Sequence, residues 1–210
     1  MIARDREENP TQLPFPDQLI TRFFQVLRFS PMGSPCIEAD KSYFLTTARL
    51  GFRCWKADDL ELALELWGDT RVSKFIGGPF SAEQISKRLH EEMALMATQK
   101  VQYWPVFLLE DGQHAGCAGL RPYKPEARIY EIGVHLRPPF WHKGLAEEAT
   151  RAIASYAFDV LDIEGLFAGH HPGNTTSRHL LEKNGFSLVG EQFYAPTGVV
   201  EPTYLLMRRR

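Results

Sequence analysis

The sequence is short of cysteine, of net charge and of long apolar runs, and each shortage removes a class of protein. Its three cysteines, Cys36, Cys54 and Cys117, are widely spaced and form no C-x-x-C pair. That speaks against a disulfide framework or a zinc knuckle and leads us to expect reduced thiols. The formal net charge is −2. A general nucleic-acid binder or a protein of anionic membranes needs a large positive excess to release counterions, so neither partner is expected, although a local basic site remains allowed. No stretch reaches the ~18 apolar residues of a membrane span. Residues 1–16 carry Arg4, Asp5, Arg6, Glu7 and Glu8 without an apolar core. They match neither a secretory signal nor an acid-poor transit peptide, so a cytoplasmic location is expected. No G-x-S-x-G elbow and no glycine loop ending in Lys-Ser/Thr is present, and the corresponding hydrolase and ATPase readings fall away.

What remains is a chain of 210 residues, 44% apolar and 24% charged, the composition of a globular domain. Residues 1–42 are punctuated by Pro10, Pro14, Pro16, Pro31 and Pro35 and read as an extension with one short amphipathic helix, Asp17 to Phe29, built on Leu19, Ile20, Phe23, Phe24 and Leu27. The domain proper is expected over 43–210. A first strand is predicted from Tyr43 to Cys54. A helix follows, capped by Asp58 or Asp59, with Leu60, Ala63, Leu64 and Trp67 as its stripe and Gly68 at its end. Ser81 and Gln84 form a capping box that opens a helix to about Thr98. Strands at Gln102–Leu109 and His114–Tyr123 are joined by the turn Glu110-Asp-Gly-Gln113, and a third runs from Ile129 to Leu136. A long helix spans about Gly144 to Val160. After it come a strand (Leu166–His170), a helix (Thr175–Asn184) and two strands near Phe186–Phe193 and Thr203–Arg208. Hairpins first and a β-α-β unit afterwards imply an α/β (α+β) fold, with a mixed, mostly antiparallel sheet of about seven strands flanked by helices.

Two segments carry chemistry. In the first, Glu131-Ile-Gly-Val-His-Leu-Arg-Pro-Pro-Phe-Trp-His-Lys-Gly-Leu-Ala146, two prolines stop a strand and a compact loop opens a helix. Successive N–H groups of Trp141, His142, Lys143, Gly144, Leu145 and Ala146 would then point outward at a helix start, with Gly144 permitting close approach of a large anion. Each hydrogen bond to a charged oxygen is worth about 1.5–3 kcal/mol, against about 0.3–1 kcal/mol for the helix dipole, so several amides would dominate such a cradle. In the second, Pro172 to Phe186, Asn174 stands at a helix start and Gly185 where a left-handed cap is wanted.

These two segments, in this order, resemble the GNAT superfamily of acetyl-coenzyme A dependent N-acetyltransferases, and within it the branch that acetylates ribosomal-protein N-termini, of Rim type. The likeness covers about Tyr43 to Arg210. Thr47-Ala-Arg-Leu50 with Trp55-Lys-Ala-Asp-Asp59 is similar to that branch's opening; Trp141-His-Lys-Gly-Leu-Ala146 is similar to its pyrophosphate loop. Asn174-x-x-Ser177, ending in Lys183-Asn-Gly-Phe186, is similar to its second cofactor motif. The resemblance implies that acetyl-CoA is the cosubstrate, with no metal. It implies that Val134, His135 and Leu136 offer backbone groups to the pantetheine arm, that Asn174 holds the arm through its amide, and that Lys143 sits near phosphate. Lys183 belongs to the same cofactor set. Many relatives have glycine where this chain has His142, which either adds a donor or points to solvent.

Transfer to an amine requires the amine to be neutral. An α-amine with a pKa near 8 is about one-tenth neutral at pH 7, whereas a lysine near 10.4 is neutral in about one molecule in 2500. Glu131, at the start of the strand that would line the thioester, is the candidate proton acceptor, unless it pairs with Arg121 or Arg128. Ser177, one helical turn from Asn174, is the candidate near the departing sulfur, unless it serves as a first-turn cap. Tyr194 and Glu201 fall where relatives carry substrate-side residues, in a loosely matched stretch. Phe75, Trp67, Trp104 and Trp141 line an acceptor pocket or, more simply, the core. His170 and His171 are adjacent on a strand and face opposite sides, which argues against a metal site. The expected function is acetyl transfer to a primary amine by direct attack in a ternary complex, with a protein N-terminus as one acceptor. Alternatives are a small amine (antibiotic, polyamine or amino acid) and a non-catalytic acyl-CoA-binding protein. Either a monomer or a homodimer is compatible.

Overall fold

A computed structural model describes residues 28–29 and 43–209. Within them lies one nine-stranded sheet in the order β1-β2-β3-β4-β5-β6-β7-β9-β8. The strands are β1 (Arg28–Phe29), β2 (Leu45–Thr46), β3 (Leu50–Phe52), β4 (Tyr103–Leu108), β5 (His114–Lys124), β6 (Ile129–Leu136), β7 (Gly165–Gly169), β8 (Ser187–Tyr194) and β9 (Val199–Met207). The helices are α1 (Leu60–Trp67), α2 (Thr70–Ser73), α3 (Ala82–Gln99), α4 (Leu145–Asp159) and α5 (Thr175–Lys183). The expected sheet is thus present with two strands more than anticipated.

One addition comes from the first predicted strand, which folds back on itself as β2 and β3. The Thr47 hydroxyl accepts from the N–H of Leu50 (2.9 Å) and of Arg49 (3.3 Å), so the side chain itself closes the turn. The other is β1: Arg28 and Phe29 pair with Thr46 and Leu45, whereas the sequence placed them at the end of a helix whose remaining residues lie outside the described ones. The four-residue α2 was not foreseen; its cap is Asp69, whose carboxylate accepts from Arg71 N–H at 2.9 Å.

Adjacent strand residues face opposite sides, and the sheet therefore supports two cores. Trp104, Ala118 and Ile132 pack with Leu145, Ala149, Ile153 and Tyr156 of α4 and Leu181 of α5. Tyr103 and Cys117 pack on the other side with Ala63, Leu66 and Trp67 of α1 and Ile85 and Leu89 of α3. Burying a Leu- or Phe-sized side chain contributes about 1.5–3 kcal/mol, which is how an eight-residue helix such as α1, too short to persist alone, is held. Its buried stripe is Ala63, Leu66 and Trp67, with Leu60 exposed. At its start, Asp59 does not cap the helix with its side chain but takes Arg53 in two hydrogen bonds (2.6 and 2.7 Å). Val160 likewise leaves the predicted α4 stripe, standing past the helix end and exposed. The Ser81–Gln84 capping box is present as predicted.

Cys54 is disulfide-bonded, against the expectation of three reduced thiols; a pairing set by tertiary proximity leaves no spacing signature in the chain. Cys117 is free and buried. No helix among the described residues is long and apolar enough to cross a membrane.

Candidate active site

The sheet is antiparallel except where β6 meets β7, and that exception makes the site. The parallel pairing lasts for three residues, Ile129 with Gly165, Tyr130 with Leu166 and Glu131 with Phe167. β6 nevertheless continues to Leu136 and stays paired with β5 on its other edge. Beyond Glu131 the two strands part. Arg137 N–H bonds the Ala115 carbonyl, and ladder alternation then turns the peptide groups of His135, Gly133 and Glu131 toward β5. Those of Ile132, Val134 and Leu136 face the split. The Leu136 carbonyl is already taken by the Trp141 indole N–H (2.7 Å), which ties the strand end to the following loop.

Of the strand residues expected to offer backbone to a cofactor, Val134 and Leu136 therefore face the split, and the peptide groups of His135 face β5. The His135 ring faces the α1–α3 side, where Nδ1 accepts from the Trp67 indole (3.3 Å). Burial and the nearby charges of Arg88 and Arg121 hold its pKa well below the usual imidazole range.

At the mouth of the split, Pro138–Phe140 form one 3-10 turn and α4 begins at Leu145. The amides of Trp141 and Glu148 are used, by the carbonyls of Pro138 and Gly144. The six between them, His142 to Glu147, meet no acceptor among the described residues. Gly144 has φ +74° and His142 φ +58°. A left-handed conformation costs a residue with a side chain roughly 1–2 kcal/mol, so His142 bears strain that glycine would not. Its ring, like the Lys143 ammonium, is exposed.

A clamp that the sequence did not announce secures this loop. Glu148, in the first turn of α4, accepts from the Thr47 hydroxyl (2.5 Å), from Arg49 N–H (2.9 Å) and from the Arg49 guanidinium (2.6 Å). Arg49 in turn donates to the Lys143 carbonyl at 2.8 Å. The β2–β3 turn is thereby fastened to the loop from a point almost one hundred residues earlier, and only a known contact between the two would have revealed it.

Across the split stands α5. Asn174 is its N-cap, Oδ1 accepting from Ser177 N–H at 3.1 Å, which leaves Nδ2 without a protein partner among the described residues. Ser177 receives the cap rather than providing it, and its hydroxyl too is unpartnered there. Lys183 is turned away to Glu147 (2.7 Å), in the first turn of α4.

The α1–α3 side of the split is lined by side chains. Glu131 accepts from the Tyr103 hydroxyl at 2.8 Å and forms neither of the ion pairs weighed above. Arg121 pairs with the fully buried Glu92, and Arg128 with Asp162 and Glu164. Burial, reinforced by the Glu131 charge, pushes the Tyr103 phenol well above its ordinary pKa, so it stays a donor. Gly133 is required beside it, since a Cβ there would stand 2.5 Å from the Tyr103 oxygen. From β8 and β9, Tyr194 and Glu201 face the same space. Burial raises both pKa values, and the Glu131 charge raises them further. Glu201 is 7% exposed, its single hydrogen bond a long one from the Thr197 hydroxyl (3.5 Å), and it lies over Gly169 at the end of β7. The Phe75 ring lies tilted against His171 (5.0 Å between centroids), and Gly77 packs on Pro196. Trp67 and Trp104 are core. His170 bonds the His171 carbonyl through Nδ1 (2.9 Å) and lies beside Tyr204.

A strand pair that opens after three rungs, with a run of unpaired amides at the mouth and a capped helix opposite, agrees with what sequence comparison finds. Residues 49–187 match the acetyltransferase (GNAT) domain family. The chain belongs to the GNAT acetyltransferases. It is 27% identical over 148 residues to the uncharacterized N-acetyltransferase p20 of Bacillus licheniformis, covering 70% of this chain and 83% of that protein. The crystal structure of a GNAT-family acetyltransferase from Bacillus anthracis superposes with a TM-score of 0.68 at 28% identity, covering 77% of this chain and 96% of that one. RimL, a ribosomal L7/L12 α-N-protein acetyltransferase solved in complex with coenzyme A, shares the fold with a TM-score of 0.67 at 18% identity, covering 77% and 95%. This GNAT protein is thus an enzyme of the acyltransferase class.

Proposed function

We propose that the protein transfers an acetyl group from acetyl-CoA to a primary amine, by direct attack with both substrates bound. The observation that carries this reading is the run of six amides from His142 to Glu147, without an acceptor among the described residues, beside the open edge of β6. Amides at a helix start have no partner within the helix and are open to an anion, and the groups here suit a diphosphate, which takes several charge-assisted hydrogen bonds there. In this reading the amides of His142 to Ala146 hold the diphosphate, with the indole of Trp141 bracing them. Val134 and Leu136 hold the pantetheine arm like an added strand, and Asn174 Nδ2 donates to it. Lys143 adds a point charge.

The acceptor amine then lies on the α1–α3 side of the split. Glu131 accepts its proton, directly or through a water, and the Tyr103 hydroxyl orients the carboxylate. The Ser177 hydroxyl supplies a proton to the departing thiolate. The acceptor we propose is a protein N-terminal α-amine, supported by its modest deprotonation cost of about 1.4 kcal/mol at pH 7, against about 4.6 for lysine, and by the fold shared with RimL. In this reading the catalytic domain is 43–210, with 1–42 as an extension.

The test is a thermal-shift comparison followed by thiol release. Acetyl-CoA or CoA at about 100 times its dissociation constant should add about 2.7 kcal/mol of stability, and thiol should appear only with an amine present. A shift with ATP or NAD and none with CoA would sink the reading.

A further inference from the structure

Arg88 and Glu92 stand one turn apart on α3 and would ordinarily pair with each other. They do not. Both oxygens of Glu92 are engaged elsewhere, one by Tyr103 N–H (2.8 Å) and the other by Arg121. Arg88 has no carboxylate within ion-pair distance among the described residues. Its guanidinium lies over the Trp67 ring, 4.4 Å from the centroid, with Phe80 at 6.0 Å. Its Nε–H is shut off from water without an acceptor, so compensation has to come through the two terminal nitrogens. The charge reaches His135 on β6, Cys117 on β5 and, across the split, Tyr194 on β8. A cation without an ion-pair partner among the described residues is therefore held on the α1–α3 side of the split, where its charge is felt by His135 and by Tyr194.

Resting on the acetyltransferase reading above, we propose that Arg88 reads a carboxylate on the acceptor, so that the molecule acetylated carries an anionic group near its amine. The planar fork of the guanidinium matches a carboxylate with two parallel hydrogen bonds. Its stacking on Trp67 fixes that fork in one orientation before the acceptor arrives. Glu131 and Glu201 receive the amine end, Arg88 the acid end. Two sources present this chemistry, a free amino acid and a peptide whose first residue is acidic; a polyamine presents neither and would bring a second cation toward Arg88.

The experiment compares matched acceptors by CoA thiol release, with the acetylated product confirmed by mass. Free aspartate, glutamate and alanine are set against their amides, amidated peptides beginning with Asp or Glu against those beginning with Asn or Gln, and spermidine stands alone. The carboxylate member of a pair should lead in kcat/KM by about tenfold or more. Arg88→Met should collapse that ratio while KM for acetyl-CoA stays within about twofold, and Arg88→Lys should restore part of it. Melting temperatures of both variants show whether the Trp67 packing survives, and the lysine variant keeps the test valid if methionine unfolds the protein. Preference for spermidine or for the amides, an unchanged ratio in Arg88→Met, or no turnover of any carboxylate acceptor by a protein that binds acetyl-CoA would each overturn the proposal. Failure to bind acetyl-CoA at all would instead remove the acetyltransferase reading, and this proposal with it.

Discussion

The two sides of the split are built from different materials. The side proposed for the cofactor is main chain: six amides from His142 to Glu147 and the β6 edge at Val134 and Leu136, with Asn174 as the principal side chain. The side proposed for the acceptor is side chain throughout, with Tyr103, Glu131, Tyr194, Glu201 and Arg88 arriving from β4, β6, β8, β9 and α3. Amides keep their protons and survive most substitutions, so a cofactor common to many enzymes can be held by a cradle indifferent to sequence. Carboxylates and phenols are exchangeable one at a time, which is how a fold keeps its donor and changes its acceptor.

The largest effect should follow from Glu131→Gln. Loss of a positioned base costs about 10²–10⁴ in rate, so kcat should fall by that factor while the dissociation constant of CoA stays put. Titrating CoA against the variant checks the second half. A parallel loss of CoA affinity would break the division of labour, because Glu131 would then be serving the cofactor side.

Acid should act on the side-chain half of the molecule and on its stability, leaving the cradle untouched. His114 is 4% exposed between Trp55 and Phe107, neither ring nitrogen has a hydrogen-bond partner among the described residues, and burial lowers its pKa from 6.5 to about 4. His135 is shifted the same way. The unfolded chain takes up these protons below pH 6.5 and the folded one does not, so stability is full above that pH and falls as pH drops toward 4. For His114 alone the loss amounts to about 3 kcal/mol. Urea midpoints at pH 7, 5 and 4 measure it, and His114→Leu should flatten the slope; an equally steep slope in that variant would mean that other groups carry the acid sensitivity.

How far the molecule could be read from its sequence follows the same division. β6 and α5 were located nearly to the residue, because Pro138, Gly144, Asn174 and Gly185 are local punctuation and the physics of turns and caps acts over a few positions. The cradle was legible for that reason. Its clamp was not: Thr47, Arg49 and Glu148 meet only through the fold. On the side proposed for the acceptor, Glu131 drew notice through its place at the strand start, but Tyr103 and Arg88 looked like any tyrosine in a strand and any arginine on a helix. Nothing within a few residues of either distinguishes a buried phenol facing a carboxylate, or a guanidinium deprived of its neighbour Glu92. The Cys54 disulfide was missed on the same ground, whereas the β2–β3 fold-back is local and was missed because a threonine side chain closes its turn, with no glycine or proline at positions 47–50 to mark it.

Removing one amide from the cradle tests its material directly. Ala146→Pro deletes a single N–H in the first turn of α4, where proline is tolerated. One hydrogen bond to a charged oxygen is worth about 1.5–3 kcal/mol, so CoA affinity should drop about ten- to a hundredfold, with Ala146→Gly as the control that keeps the amide. Lys143→Ala, which removes an exposed charge, should cost less. Were the order reversed, side-chain charge and not main chain would be holding the diphosphate.

The smallest effect, and the sharpest for the boundary between the two sides, is expected at Arg49. Its guanidinium is about half exposed and pairs with Glu148 while donating to the Lys143 carbonyl. Exposed ion pairs contribute about 0.2–1 kcal/mol, so Arg49→Met should lower the melting temperature only slightly. The Thr47 hydroxyl and the Arg49 N–H still hold Glu148 in that variant, and the turn stays attached. What changes is the anchoring of one loop carbonyl, so CoA affinity should fall severalfold through faster dissociation while kcat and the acceptor KM hold. Stopped-flow dissociation of CoA reads this, and a fall in kcat instead would show that the β2–β3 turn reaches the chemistry itself.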